Sequence, residues 1–455
     1  LSMSRKILFV SLGCDKNRVD SEKMLGLLAD DGWEITDDET LADVIVVNTC
    51  CFINDAKEES INTLLEMARL KTEGNCRVLV AAGCLAERYA AEIREELPEV
   101  DAILGTAAVG EIAEVIRRAE RGEKAECRKP LSGPASLKAR RILTGGGHYA
   151  YLKIAEGCSK HCTYCVIPKV RGEFRSVPME ELLDEARALA AGGVKELILV
   201  AQETTRYGVD IYGEKSLHKL IRELCRIESL VWIRVLYCYP EEIYDGLIEV
   251  MRDEPKVCHY LDLPIQHADN AILKRMNRRT TQEDLRAIIA NLREQVPDIV
   301  LRTTLITGFP GETQEQFEEL YRFVNEMEFD RLGVFAYSQE EGTPAARMDG
   351  QIDDAVKEAR RQELMELQQE ISLDLAQERI GRELYVMIEG KVADEDVYVA
   401  RGYGDAPDVD GYIFVRTGLT LMTGDFIRVR ITGASEYDLE GVAVDEMLDE
   451  APDET

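Results

Sequence analysis

The chain has 455 residues with 86 Asp and Glu against 55 Lys and Arg, a net charge of −31; it is too long for one ordinary core and is expected to divide into two or three domains. It has no run of 18 apolar residues and no basic-then-apolar leader, so a membrane span and a secretory pattern are excluded and a cytoplasmic protein is expected. An acidic surface repels phosphate backbones, which disfavours nonspecific nucleic-acid binding and favours basic protein partners.

In chain order, apolar runs at Lys6–Leu12, Asp43–Asn48, Arg77–Ala82 and Ala102–Leu104 predict buried parallel strands. Helical stretches near Ser21–Asp30, Ala56–Leu70, Ala86–Glu96 and Val109–Ala119 alternate with them, giving an N-terminal α/β domain over 5–121. Pro130, Gly133, Pro134 and Gly145-Gly146-Gly147 mark a linker over 122–148. Six further strands are predicted at Ala150–Ala155, Glu196–Ala201, Val231–Leu236, Tyr260–Ile265, Val300–Ile306 and Arg331–Tyr337, with helices between them. Six βα units, closed by a long charged helix near Asp353–Arg379, fit a partial, TIM-like (β/α)6 barrel over 149–379. From Gly381 the texture changes to short β runs separated by Gly and Asp turns, which predicts a small β-barrel over 380–447. The polar end, 448–455, is expected to be a flexible tail.

Twelve cysteines in a chain without secretory features argue against a disulfide framework. Cys76, Cys225, Cys238 and Cys258 lie in or beside apolar runs and read as small buried hydrophobes; Cys127 is assigned nothing. The string Cys158-Ser159-Lys160-His161-Cys162-Thr163-Tyr164-Cys165 is different. It places three thiolates in one loop after a strand, and three ligands leave one iron of a four-iron cubane open. A structural zinc site needs four ligands and would have to recruit His161. Cys14, Cys50 and Cys84 follow three successive predicted strands, and the carboxyl ends of parallel strands share one edge, where such folds bind ligands. That convergence reads as a second three-thiolate site. Cys51 competes with Cys50 for the middle position, and Cys50 is preferred because neighbouring residues of a strand face opposite ways.

Taken with Glu156 and Gly157, the C-x3-C-x2-C loop resembles the radical S-adenosylmethionine (SAM) signature. Ser11-Leu12-Gly13-Cys14-Asp15-Lys16-Asn17, Asn48-Thr49-Cys50, Gly83-Cys84-Leu85-Ala86 and Gly308-Phe309-Pro310-Gly311-Glu312-Thr313 extend the resemblance to the methylthiotransferases over essentially the whole chain. The resemblance implies two 4Fe–4S clusters, at Cys14, Cys50 and Cys84 and at Cys158, Cys162 and Cys165, with the C-terminal barrel of the TRAM type. SAM would serve as radical source and methyl donor, with electrons from a one-electron donor of the flavodoxin or ferredoxin kind. One branch of the family modifies an adenosine in transfer RNA; the other modifies the β-carbon of an aspartate in small-subunit ribosomal protein S twelve. Asp55-Ala56-Lys57-Glu58-Glu59-Ser60, Pro98-Glu99-Val100-Asp101, Gln202-Glu203-Thr204-Thr205-Arg206-Tyr207-Gly208 and Tyr260-Leu261-Asp262-Leu263-Pro264-Ile265-Gln266-His267 resemble the ribosomal-protein branch. Asp15, Cys51 and Glu203 depart from it, standing where proline, glycine and aspartate are usual.

Charge points the same way. From Gly381 to Thr455 there are 18 Asp and Glu against 6 Lys and Arg, a net of −12, whereas a barrel gripping RNA is expected to be basic. Such a barrel suits a basic protein substrate.

Candidate SAM contacts are Tyr164 beside the third cysteine, Gln202 and Glu203 at one strand end, Gln266 at another, and Gly308 and Gly311 where backbone can approach a ligand. His267 reads as structural. Arg302, inside a strand, needs an anionic partner; a cofactor or substrate carboxylate is one option, and Lys169 and Arg171 are placed for the same task.

Overall fold

The computed structural model describes residues 5–447; the expected tail at 448–455 lies outside them. Six parallel strands form the first sheet: β1 (Lys6–Ser11), β2 (Glu34–Ile35), β3 (Val44–Thr49), β4 (Val78–Ala82), β5 (Ala102–Leu104) and β6 (Ala125–Cys127), in the order β2-β1-β3-β4-β5-β6. The central strands carry runs such as Val44-Ile45-Val46-Val47 because helices cover both faces. Strand β6 falls inside the stretch expected to be linker and pairs with β5, so Cys127 belongs to the sheet edge. The rest of that stretch is packed down as well. Arg141 pairs with Glu22 and Glu185, and Gly26 sits so close that an added Cβ would lie 1.8 Å from the Arg140 carbonyl oxygen.

The second sheet begins with β7 (Tyr149–Lys153), followed by a two-stranded pair, β8 (Ala155–Glu156) with β9 (Arg175–Ser176), that flanks the cysteine loop. Then come β10 (Glu196–Val200), β11 (Trp232–Val235), β12 (Val257–Asp262), β13 (Val300–Thr307) and β14 (Arg331–Ala336). The order β14-β13-β12-β11-β10-β7 is parallel throughout and does not close, giving a six-stranded partial barrel. The helix Asp354–Gln377 packs across β14 and β13. Strands β15 (Glu383–Lys391), β16 (Val397–Gly402), β17 (Ile413–Arg416), β18 (Phe426–Ala434) and β19 (Leu439–Met447) form a closed five-stranded barrel.

The concave side of the partial barrel is filled by all three parts of the chain. Tyr149, Tyr151, Ile198, Val200, Trp232 and Tyr260 pack there with Val19 from the N-terminal domain and Met387, Ala406 and Phe426 from the C-terminal barrel. A loop of that barrel supplies three aspartates: Asp405 to Arg331 at 2.5 Å, Asp408 to Arg18 at 3.4 Å and Asp410 to Arg302 at 2.7 Å. Beneath them Glu196, fully buried, holds Arg234 and Arg401 at 2.7 Å each. Arg302 therefore has an anionic partner within the chain, Asp410. Among the described residues no helix is long and apolar enough to cross a membrane.

Candidate functional site

Cys14, Cys50 and Cys84 lie at one edge of the first sheet because β1, β3 and β4 are adjacent and in register, Ser11 opposite Asn48 and Asn48 opposite Ala82. Cys14 is the N-cap of the helix Asp15–Asp30, Cys50 follows β3, and Cys84 is the second residue of the helix Gly83–Arg88. Two glycines make the turns. Gly13 (φ +83°) has the Cys50 Sγ 3.0 Å from where its Cβ would be, and Gly83 (φ +89°) has the Thr49 carbonyl oxygen at 2.6 Å; no L side chain fits either position. Asn17 ties the three turns together. Its Nδ2 donates to the carbonyls of Leu12 and Thr49 at 3.0 Å each, and its Oδ1 is 3.8 Å from the Cys84 Sγ.

Cys51 turns the other way, into the apolar core with Leu64, Met67 and Leu85. Burial pushes the Cys50 thiol up to about 11, and the neighbouring Cys84 and Cys14 add to it. Burial likewise raises Cys84, against the opposing pull of Arg171. The thiols of Cys50 and Cys84 resist ionising alone, which suits a metal cluster whose positive charge would replace their protons.

The second triad sits in the loop after β8. Gly157 (φ +79°) has the Glu173 and Gly172 carbonyl oxygens 2.3 and 2.5 Å from its would-be Cβ. Gly157 N–H donates to Gln202 Oε1 at 2.8 Å and Cys158 N–H to the Gly172 carbonyl at 3.0 Å. Gln202 also donates to Glu156 at 3.2 Å, so both ends of its amide shape the loop. Residues 275–278 hold the far side. Asn277 donates to the His161 carbonyl at 3.0 Å, and Arg278 lies 4.3 Å over the Tyr239 ring with its Nη1 4.0 Å from the Cys162 Sγ. His161 is exposed and faces Glu173 at 3.4 Å, away from the thiols. The zinc alternative thus lacks its fourth ligand, and among the described residues no three His, Cys, Asp or Glu side chains group as a single-ion site.

Beside Cys158 lies Glu203, buried, with Lys160 Nζ at 3.5 Å and neither carboxylate oxygen hydrogen-bonded. Burial raises it to about 7. A buried carboxylate with an ion-pair partner but no hydrogen bond, next to the thiols, fits a ligand carrying a cationic amino group, as SAM does. The other expected contacts have structural duties. Tyr164 packs edge-on against Phe309, their centroids 6.5 Å apart. Gln266 (φ +73°) bridges to β13 through its backbone. Gly308 (φ +69°) leaves room for Lys357, whose Cγ would be 2.2 Å from a Cβ, and Gly311 (φ +79°) for Arg275. His267 is fully buried, accepting from Asp269 N–H at 2.9 Å. Lys169 donates to the Gly342 carbonyl, and Arg171 is buried between the two triads, bonded to Asn17, Asp20 and Glu156. Arg171 is thus engaged by carboxylates of the chain itself, whereas Lys169 is exposed and has no carboxylate partner among the described residues. Sequence reasoning missed Arg278, Tyr239 and the tie made by Asn17; only Asn17 lay within a string already singled out.

Three family models match in succession: the uncharacterized protein family UPF0004 over residues 6–105, the Radical SAM superfamily over 152–324 and the TRAM domain over 380–444. A protein of Lachnoclostridium phytofermentans called ribosomal protein uS12 methylthiotransferase RimO is 59% identical over 438 residues, 96% of this chain and 100% of that one. This chain belongs to the RimO family. A RimO of Pelotomaculum thermopropionicum is 52% identical over 97% of this chain and all of its own length, and one of Geobacter sulfurreducens 50% identical over 96% and 98%. RimO is the branch to which the sequence strings pointed. Among solved structures, the radical SAM methyltransferase TsrM of Kitasatospora setae, with cobalamin and a [4Fe-4S] cluster bound, shares the fold at a TM-score of 0.54 and 15% identity, covering 84% of this chain and 79% of its own.

Proposed function

We propose that this chain is a cytoplasmic radical SAM methylthiotransferase that places a methylthio group on the β-carbon of an aspartate in small-subunit ribosomal protein S twelve. In this reading Cys158, Cys162 and Cys165 hold a 4Fe–4S cluster that binds SAM, and Cys14, Cys50 and Cys84 hold a second one. The observation that carries the reading is the pair of three-thiol sites on two domains, joined through Arg171 and Gly172; three thiolates would leave one iron of a four-iron cluster open at each. When bound, the clusters and SAM supply one-electron radical chemistry, a sulfur atom and a methyl group.

The chain's own residues bind, orient and exclude water. Gln202 and Gly172 brace the loop of Cys158, and Tyr239 and Arg278 close over Cys162. Glu203, whose carboxylate oxygens accept no hydrogen bond, offers them to the amino group of SAM. Asn17 fixes the other triad. Holding two reacting centres at a fixed separation is where such a scaffold contributes most.

The names of the relatives and the charge of the C-terminal barrel support the substrate. Asp405, Asp408 and Asp410 are engaged by arginines elsewhere in the chain. Setting those three aside still leaves 15 acidic against 6 basic residues after Gly381, which suits a basic protein surface and opposes RNA. A flavodoxin- or ferredoxin-type protein is the donor class this chemistry calls for.

The test is anaerobic reconstitution followed by mass spectrometry of ribosomal protein S twelve for a methylthio increment. Replacing any of Cys158, Cys162 or Cys165 with Ala is expected to abolish reductive SAM cleavage. Cys84→Ala is expected to spare cleavage and block methylthiolation; a Cys84→Ala protein that modifies substrate at the normal rate sinks the two-cluster assignment. Tight, salt-dependent binding of transfer RNA would favour the adenosine substrate instead.

A further inference from the structure

We propose that Arg171 is a positioning residue that links the two cysteine triads and sets the reduction potential of the cluster held by Cys14, Cys50 and Cys84. The proposal rests on the reading of those three cysteines as cluster ligands. Arg171 follows the short helix Ile167–Val170 of the partial barrel, yet its side chain ends in the N-terminal domain, and the residue is only 2% exposed. Nη2 donates to Asn17 Oδ1, the same oxygen that lies 3.8 Å from the Cys84 Sγ. Nη1 donates to Asp20 Oδ2 at 2.7 Å and Glu156 Oε2 at 3.3 Å. The next residue, Gly172, receives the Cys158 N–H at 3.0 Å. Two consecutive residues therefore touch the supports of both triads, one through its side chain and the other through its backbone.

The charges decide what Arg171 does there. Lys153 shares the carboxylates of Asp20 and Glu156, so two buried cations face two buried anions and the group is formally neutral before any thiolate is counted. Adding the cluster's thiolates makes Arg171 the near cation for Cys84. A fixed positive charge beside a cluster favours its more negative, reduced form and raises its potential. The planar guanidinium reaches Asn17 and Asp20 together from one rigid fork, which a lysine cannot reproduce.

The full-length chain carrying Cys158→Ala, Cys162→Ala and Cys165→Ala isolates the N-terminal cluster for redox titration followed by electron paramagnetic resonance. Iron and sulfide are counted first: if that protein takes up no cluster, the assignment of Cys14, Cys50 and Cys84 fails, and the proposal with it. If the cluster forms, Arg171→Gln is expected to shift its potential to a more negative value, and Arg171→Lys to keep it near the unsubstituted value. In the otherwise native enzyme, Arg171→Lys is expected to lower the yield of methylthiolated product per SAM cleaved, since the fork is lost. A residue that served only the fold would lower thermal stability in both variants and leave the potential in place; that result overturns the proposal. Should Arg171→Gln fail to hold iron, Asp20→Asn decides. It frees Arg171 from one anion, so a shift to more positive potential supports the proposal and an unchanged or more negative one refutes it.

Discussion

Glu203 is a carboxyl group buried beside the cysteine loop with no hydrogen-bond donor of its own, and burial lifts it to about 7. Its raised value means the folded chain holds the proton more tightly than the unfolded chain does. The associated stability is fully present below about pH 4.5, the ordinary value, and is lost as pH rises through about 7; the difference between the two ends is about 3 kcal/mol. Urea denaturation of the cluster-free protein at pH 5 and pH 8 is expected to show this loss, and Glu203→Gln to flatten it. At this scale the cysteines were legible because strand-end and C-x3-C-x2-C placement are properties of spacing. Gln202 and Arg302 were singled out, but not their partners within the chain, Glu156 and Asp410. A sequence shows that a polar group is buried in a strand end, whereas which group faces it depends on Glu156 and Asp410, at separations of 46 and 108 residues.

Elements near the sites break the patterns by which helices are read. The helix Asp15–Asp30 was expected to begin near Ser21, because its first turns lack an apolar stripe. It buries Asn17, Asp20, Glu22 and Lys23, which pair with Arg171, Lys153, Arg141 and Glu185 outside the N-terminal domain, and Lys16, which pairs with Asp15 and lies over the Tyr237 ring. Buried polar residues satisfied by distant partners erase the usual periodicity. Turns set the triads, and two glycines with similar φ separate strain from crowding. Gly32 (φ +85°) has nothing within 4 Å of an added Cβ, whereas Gly157 meets two carbonyl oxygens. Gly32→Ala is expected to cost about 1 kcal/mol of backbone strain and Gly157→Ala at least about 2 kcal/mol more. Gly157→Ala should also deplete iron from the Cys158 loop, while Gly32→Ala leaves it intact; denaturation midpoints and iron content check both.

The molecule as a whole is held by charge at its domain boundaries. Glu340, from the loop after β14, takes Lys57 and Arg88 of the N-terminal domain at 3.0 Å each. Asp410 takes Arg302, the Tyr260 hydroxyl and the Ala406 N–H. Asp410→Ala removes the near partner of the partly buried Arg302 and is expected to cost about 2–3 kcal/mol, seen as an earlier urea transition and as protease cleavage near 379–383. The three-part organisation was legible from strand texture, but this docking was not, since nothing local distinguishes an aspartate in a turn from one seated on another domain's arginine. The aspartate loop has an evolutionary consequence. With Arg302, Arg331 and Arg18 paired to it, the C-terminal barrel cannot be exchanged between relatives as a free-standing cassette. A graft that lacked the three aspartates would leave arginines without counter-charges, so acidic loop and basic floor are constrained to be inherited together.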